Sequence, residues 1–189
     1  MPTRIAELDL SPTSTTELAP LFAVFTPLNA QIAVADARIS AFAKDDPIAT
    51  RLRSALGVGP VTASALAATI DAITRFRTAH ELGDYLGVIP TERSSGGKRQ
   101  LGHITKAGNG RMRWLRVEAA WQILRSKSAE TAALRAWTRQ IAQRRGKRIA
   151  VVALARRLTG ILYAMWRDEV AYDAHHIRPL PPAVYQRAG

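Results

Sequence analysis

Glycine and proline fall in a few clusters along this chain, and between the clusters apolar residues recur every three or four positions. Glycine breaks helices through its backbone freedom and proline through its missing N–H, so each cluster cuts the sequence into helix-length pieces. A polar, proline-bearing arm over 1–14 is expected to be disordered. A long helix over 15–46 follows, its stripe formed by Leu21, Phe25, Leu28, Ile32, Ala35 and Ile39, with Pro27 expected to kink or interrupt it. Such a stripe with a polar back fits a coiled-coil-like arm or an ordinary packing helix. Shorter helices are expected over 47–56, 61–70, 78–86, 110–126, 129–144 and 148–170, with Gly146 separating the last two. The tail 173–189, bearing Pro179, Pro181 and Pro182, reads as extended. No run alternates as a strand would, so the expected class is all-α, with one long irregular loop over 93–109.

The charge distribution narrows the partner. Over 189 residues the net charge is +12, and between 93 and 167 eighteen Lys or Arg face only Glu118 and Glu130, giving that stretch about +16. A surface serving solubility alone mixes signs, whereas one large positive field is the footprint of a polyanion binder. The absence of cysteine excludes disulfides and thiolate metal sites. Met1-Pro2-Thr3 lacks the organisation of a secretion signal, and Arg156-Arg157 inside the most apolar stretch speaks against a membrane span. A cytoplasmic, nucleoid-associated protein is expected.

Two motifs carry chemistry. In LRSALGVGPVTASALAA, two short helices flank a GVGP turn. Gly57 and Gly59 can take conformations closed to other residues, and Pro60 suits a first helical turn. The amides near Val61 would then face a phosphate at a helix N-terminus. The plain alternative is a tight helix–helix turn without a ligand. The second motif is the loop RSSGGKRQLGHITKAGN, where Ser94 and Ser95 share a field with Arg93, Lys98, Arg99 and Lys106. By residue chemistry alone, either serine could be a turn residue capping local backbone. Arg111, Arg113 and Arg116 open the next helix, where cations oppose the dipole; a bound phosphate, with Asn109 beside it, would explain them. Arg144, Arg145, Lys147 and Arg148 form a basic corner around Gly146, suited to DNA or structured RNA. The four tryptophans, Trp114, Trp121, Trp137 and Trp166, read as core more than as stacking platforms.

The ordered set of GVGP, Tyr85-Leu86-Gly87, Pro90, Ser95-Gly96, Gly102, Lys106 and Gly108-Asn109, followed by a basic helix, resembles a known family. It is similar to the C-terminal domain of the insertion-sequence transposases of the one-ten, one-sixteen and nine-oh-two group, bridge-RNA-guided recombinases whose other half is a DEDD nuclease. The resemblance is strong over 48–121 and moderate over the arm before it. It implies a serine nucleophile that attacks DNA phosphate, mapped to the serine directly before glycine, Ser95, with Ser94 as fallback. It also implies a structured guide RNA, self-association through the arm, and a divalent metal (magnesium) held by the nuclease-like half.

That half is expected to lie outside this chain, because Glu7 and Asp9 alone precede the arm and the other early acids scatter over different elements. No metal site and no cofactor are expected in the chain itself. The domain reading is an arm over 1–14, a helical arm over 15–46, a domain containing the helix-hairpin-helix over 47–172, and a tail over 173–189. The alternative is a non-catalytic helix-hairpin-helix module for DNA or RNA, or a truncated remnant; a structural reading has the arm dimerise and the basic surface retain RNA.

Overall fold

The computed structural model describes residues 11–87, 90–95, 98–104 and 108–176, with 90–95, 98–104 and His176 described through their backbone alone. The chain divides into two compact units, Met1–Phe42 and Ala43–Gly189. Most of the first is helix α1 (Pro12–Asp45), which starts three residues earlier than the sequence pattern suggests. The Ser11 hydroxyl accepts the Ser14 amide at 3.2 Å, and Pro12 fits the first turn, where no N–H is needed. The helix runs on through Pro20 and Pro27, so the expected interruption is absent. Each ring forfeits one backbone hydrogen bond, a local loss within 34 helical residues.

The second unit opens with α2 (Pro47–Arg53), capped by Asp46, whose Oδ1 accepts the Ile48 amide at 2.8 Å. Helix α3 (Pro60–Ile70) begins at the proline of the GVGP turn. Helix α4 (Ala79–Tyr85) is fixed at its start by Thr78 Oγ1, which accepts the Glu81 amide, while the Glu81 carboxylate accepts the Arg77 amide at 2.7 Å. Helices α5 (Gly110–Arg125), α6 (Ala132–Arg145) and α7 (Lys147–Arg167) complete the helical set. Ala129–Thr131 forms a 3-10 turn leading into α6, and Ala174–His176 another where extended tail was expected. Residues 177–189 lie outside the described residues.

Helices dominate, as the periodicity implies, but described residues of the segment read as an irregular loop form strands. Strands β1 (Pro90–Ser95) and β2 (Lys98–Ile104) pair antiparallel, with Ser95 opposite Lys98, Ser94 opposite Arg99 and an irregularity between Pro90 and Glu92. Gly96-Gly97 between two chain runs is a hairpin signal, hidden here by the lack of apolar alternation in either run.

Helix α7 is the centre of the core. Its buried Val151, Leu154, Leu158, Leu162 and Trp166 pack against α2, α4, α5 and α6, while α3 packs on α2 and α5. By length and composition α1 and α7 are apolar enough to cross a membrane, but over half of the α7 window is buried inside the protein. The α1 stripe is different: Leu21, Phe25, Leu28 and Ile32 are each about half exposed or more.

Candidate nucleic-acid interface

The GVGP turn is held by one close approach. Gly57 has φ +86°, and a β-carbon there would stand 2.5 Å from the Ala119 carbonyl oxygen on α5. Only glycine fits this position. Gly59 follows as an exposed N-cap without a side-chain cap bond, and Ala63 is the first residue of α3 whose amide returns to it. Pro60 has no N–H, so the amides of Val61 and Thr62 are left without partners inside the helix, at its positive end. Beside the turn lies a groove of about 640 Å³ whose walls include Arg53, Gly59, Thr62, Gln122 and Arg125. Glu118 on the same wall lies 3.9 Å from Arg125. Arg53, Gln122 and Arg125 escaped the sequence reading, because only the packing of α5 against the turn brings them there.

The hairpin carries the two candidate serines and Arg93, Lys98 and Arg99 in its paired backbone. Lys106 lies outside the described residues. Both ends of the hairpin are pinned at one place. Gly108 has φ +84°, and a β-carbon there would overlap the Tyr85 carbonyl oxygen and come within 3.4 Å of the Gly87 amide. Beneath it, Arg116 reaches across to Leu86: its guanidinium donates to the Leu86 carbonyl, to Thr159 Oγ1 at 3.2 Å and to the Met112 carbonyl at 3.0 Å.

Arg116 is therefore no phosphate ligand. It is fully buried, and burial pushes its pKa down to about 10, with Arg113 adding to the effect. Its cation sits on the Leu86 carbonyl at the C-terminal end of α4, where the helix dipole favours positive charge. Asn109 is also committed locally, its Oδ1 accepting the amides of Arg111 at 2.9 Å and Met112 at 3.2 Å as the cap of α5. The helix-opening charge that a phosphate was invoked to explain is thus partly structural. Arg111 remains exposed, and Arg113 is half-buried.

The tryptophans divide. Trp166 is core, whereas Trp121 and Trp137 are partly buried under cations, Lys147 at 5.1 Å and Arg157 at 5.0 Å from the ring centroids. Trp114, expected in the core, is 60% exposed. Arg144, Arg145, Lys147 and Arg148 are all exposed around Gly146, whose φ of +86° turns the chain between α6 and α7. Arg135, by contrast, is consumed by the carbonyls of Ser126 and Ser128. Among the described residues no group of three or more His, Asp or Glu side chains is arranged to hold a metal ion.

Residues 49–135, from α2 through the turn and hairpin into α6, match the family described as Transposase IS116/IS110/IS902. The chain is 34% identical over 145 residues to a probable family 20 transposase of Pseudomonas aeruginosa, covering 77% of this chain and 43% of the relative. It is 32% identical over 147 residues to the transposase for insertion sequence element IS1111A of Coxiella burnetii, covering 77% and 40%. An insertion element IS110 uncharacterized 43.6 kDa protein of Streptomyces coelicolor is 31% identical over 149 residues, covering 79% and 36%. The chain thus spans about two fifths of the length of the relatives it matches. Over the region that carries the turn, the hairpin and α5, this chain belongs to the IS116/IS110/IS902 family of transposases.

Proposed function

We propose that this chain is the DNA-contacting C-terminal domain of an insertion-sequence transposase, with Ser95 as nucleophile and Ser94 as its fallback. The observation that carries the reading is the family match over 49–135, which takes in the GVGP turn and the serine-bearing hairpin together. The turn is a helix-hairpin-helix element whose Val61 and Thr62 amides hold a backbone phosphate, assisted by Arg53 and Arg125 across the groove. Such contacts position a duplex without reading its sequence. Exposed Arg111 and the basic corner extend the same field, and a structured guide RNA is the second polyanion it would accept.

In the reaction, the Ser95 hydroxyl oxygen attacks a phosphorus of the DNA backbone and gives up its proton. The bond from phosphorus to the sugar oxygen breaks, and that oxygen leaves as a hydroxyl. One phosphodiester is exchanged for another, so the covalent linkage preserves the energy needed for rejoining. Lys98 and Arg99, opposite the serines in the ladder, are the cations that would stabilise the pentacoordinate state. A divalent metal would be held by a nuclease-like partner domain rather than by this one. Self-association through the exposed α1 stripe brings two such domains to one DNA.

The test mixes the protein with labelled element-end duplex and guide RNA, with and without the nuclease-like domain of a full-length relative, and denatures the mixture. A protein–DNA adduct that disappears in Ser95→Ala supports the assignment. Adduct formation that survives both Ser95→Ala and Ser94→Ala removes the serine mechanism, and binding without any adduct leaves a non-catalytic module.

A further inference from the structure

We propose that Trp114 is a stacking platform for an unpaired nucleobase, so that this surface holds single-stranded or locally melted nucleic acid as well as duplex. The inference rests on the nucleic-acid reading above and names a substrate class within it. Trp114 stands on α5 with its indole 60% exposed, although covering a tryptophan removes about 150–250 Å² of largely apolar surface from water. In the unit Ala43–Gly189 the other large exposed apolar side chains among the described residues are Tyr85, Ile149 and Val170, none of them on α5. On α5 it is the one large apolar side chain left exposed among the described residues, so the helix offers no broad apolar face of the kind a protein partner buries.

What surrounds it on the helix is polar. At about 100° per residue, Arg111, Trp114, Glu118, Gln122 and Arg125 fall within an arc of about 80°. Glu118, Gln122 and Arg125 wall the groove at the GVGP turn. On the other flank Trp121, seven residues beyond Trp114 and so nearly in line with it, lies under Lys147 of the basic corner. Trp114 therefore lies along the ridge between the two surfaces that hold phosphates, with cationic Arg111 one turn away. A strand whose phosphates follow these cations passes over the indole, and every base has a face to stack there. Duplex bases are already stacked on each other, so a duplex gains nothing from the ring.

The experiment measures binding of the full chain to a labelled 15-nucleotide dT strand, its rU counterpart and a matched duplex, with tryptophan emission recorded in parallel. Trp114→Ala is expected to weaken both single strands by about tenfold while duplex affinity holds within about twofold. Trp114→Phe is expected to retain most single-strand affinity and to lose most of the emission quench; a quench that persists would come from Trp121 or Trp137 and overturn the assignment. The salt slope should not move, because an indole releases no counterion. A stronger effect on rU than on dT names RNA as the source of the base; the reverse names DNA. Equal losses on strand and duplex, unchanged strand binding, or a shift in oligomeric state overturn the stacking site. Failure of the wild-type chain to bind any of the three overturns the nucleic-acid reading itself.

Discussion

Arg116 and Leu86 are joined across the core by a hydrogen bond from a buried guanidinium to the last turn of α4, at the point where the chain leaves for the hairpin. Among the described residues no carboxylate bonds to this cation; two carbonyls and a hydroxyl hold it. Arg116→Met keeps much of the volume and leaves the Leu86 carbonyl unpaired. The Met112 carbonyl keeps its helix bond and the Thr159 hydroxyl its bond to the Ala155 carbonyl, so the loss should cost about 1–3 kcal/mol. For a unit of this size the melting temperature should fall by roughly 5–10 °C, readable by calorimetry. Adduct formation should fall further than duplex binding, because the hairpin loses its footing while the GVGP turn keeps its own. A variant as stable as the parent would show the guanidinium dispensable.

Gly57→Ala and Gly108→Ala should each cost about 2 kcal/mol or more, since a left-handed backbone and an overlap with a carbonyl coincide at both. Gly59→Ala has open space and no positive φ, so thermal stability should stay within about 0.5 kcal/mol. Thermal melts of the three variants separate strain from mere loss of glycine. Equal melting temperatures would contradict the close approach at both positions.

Neutralising Arg144, Arg145 and Lys147 to Gln should lower the slope of log affinity against log salt by about 0.9 for each phosphate that is no longer neutralised. Titrations at several salt concentrations read this directly. An unchanged slope would remove the basic corner from the interface.

Phe25→Glu and Ile32→Glu place charge on the exposed α1 stripe. Sedimentation should show self-association lost in the double variant, with the melting of the second unit unaltered. A parent chain that is monomeric at high concentration would end the proposal of pairing through the arm.

The Tyr172 hydroxyl is buried without a hydrogen-bond partner among the described residues. Burial raises its pKa, and Glu130 adds to the rise. In the window above the unfolded value of 10.0, the unfolded chain gives up this proton first, so the group makes stability fall as pH rises there. Tyr172→Phe should match or exceed the parent by up to about 1 kcal/mol near neutrality and should flatten that alkaline decline. Denaturant melts at pH 8 and above 10 provide the check.

The helices were legible because Gly and Pro punctuate them and caps such as Thr78 and Asp46 announce their starts. The hairpin was not legible from periodicity, since neither strand alternates apolar and polar residues; only Gly96-Gly97 signalled it. Gly57 could be singled out as a turn glycine, but its need to clear Ala119 exists only once α5 packs against the turn. Arg116 and Trp114 were each misread for one reason. Two residues apart on one helix, they differ by about 200° in direction, which composition cannot register. A charge lies in the core and an indole lies outside it.

Tyr85, Gly87 and Gly108 bring the two feet of the hairpin together on the helical body. The twenty residues between Gly87 and Gly108 thus enter and leave through a single doorway, and the helices on either side meet without them. A short linker across that doorway would leave the core of α4, α5 and α7 closed. In such an architecture the serine-bearing element is an accessory of the scaffold, so a lineage could lose, exchange or redesign it while inheriting the same helical frame.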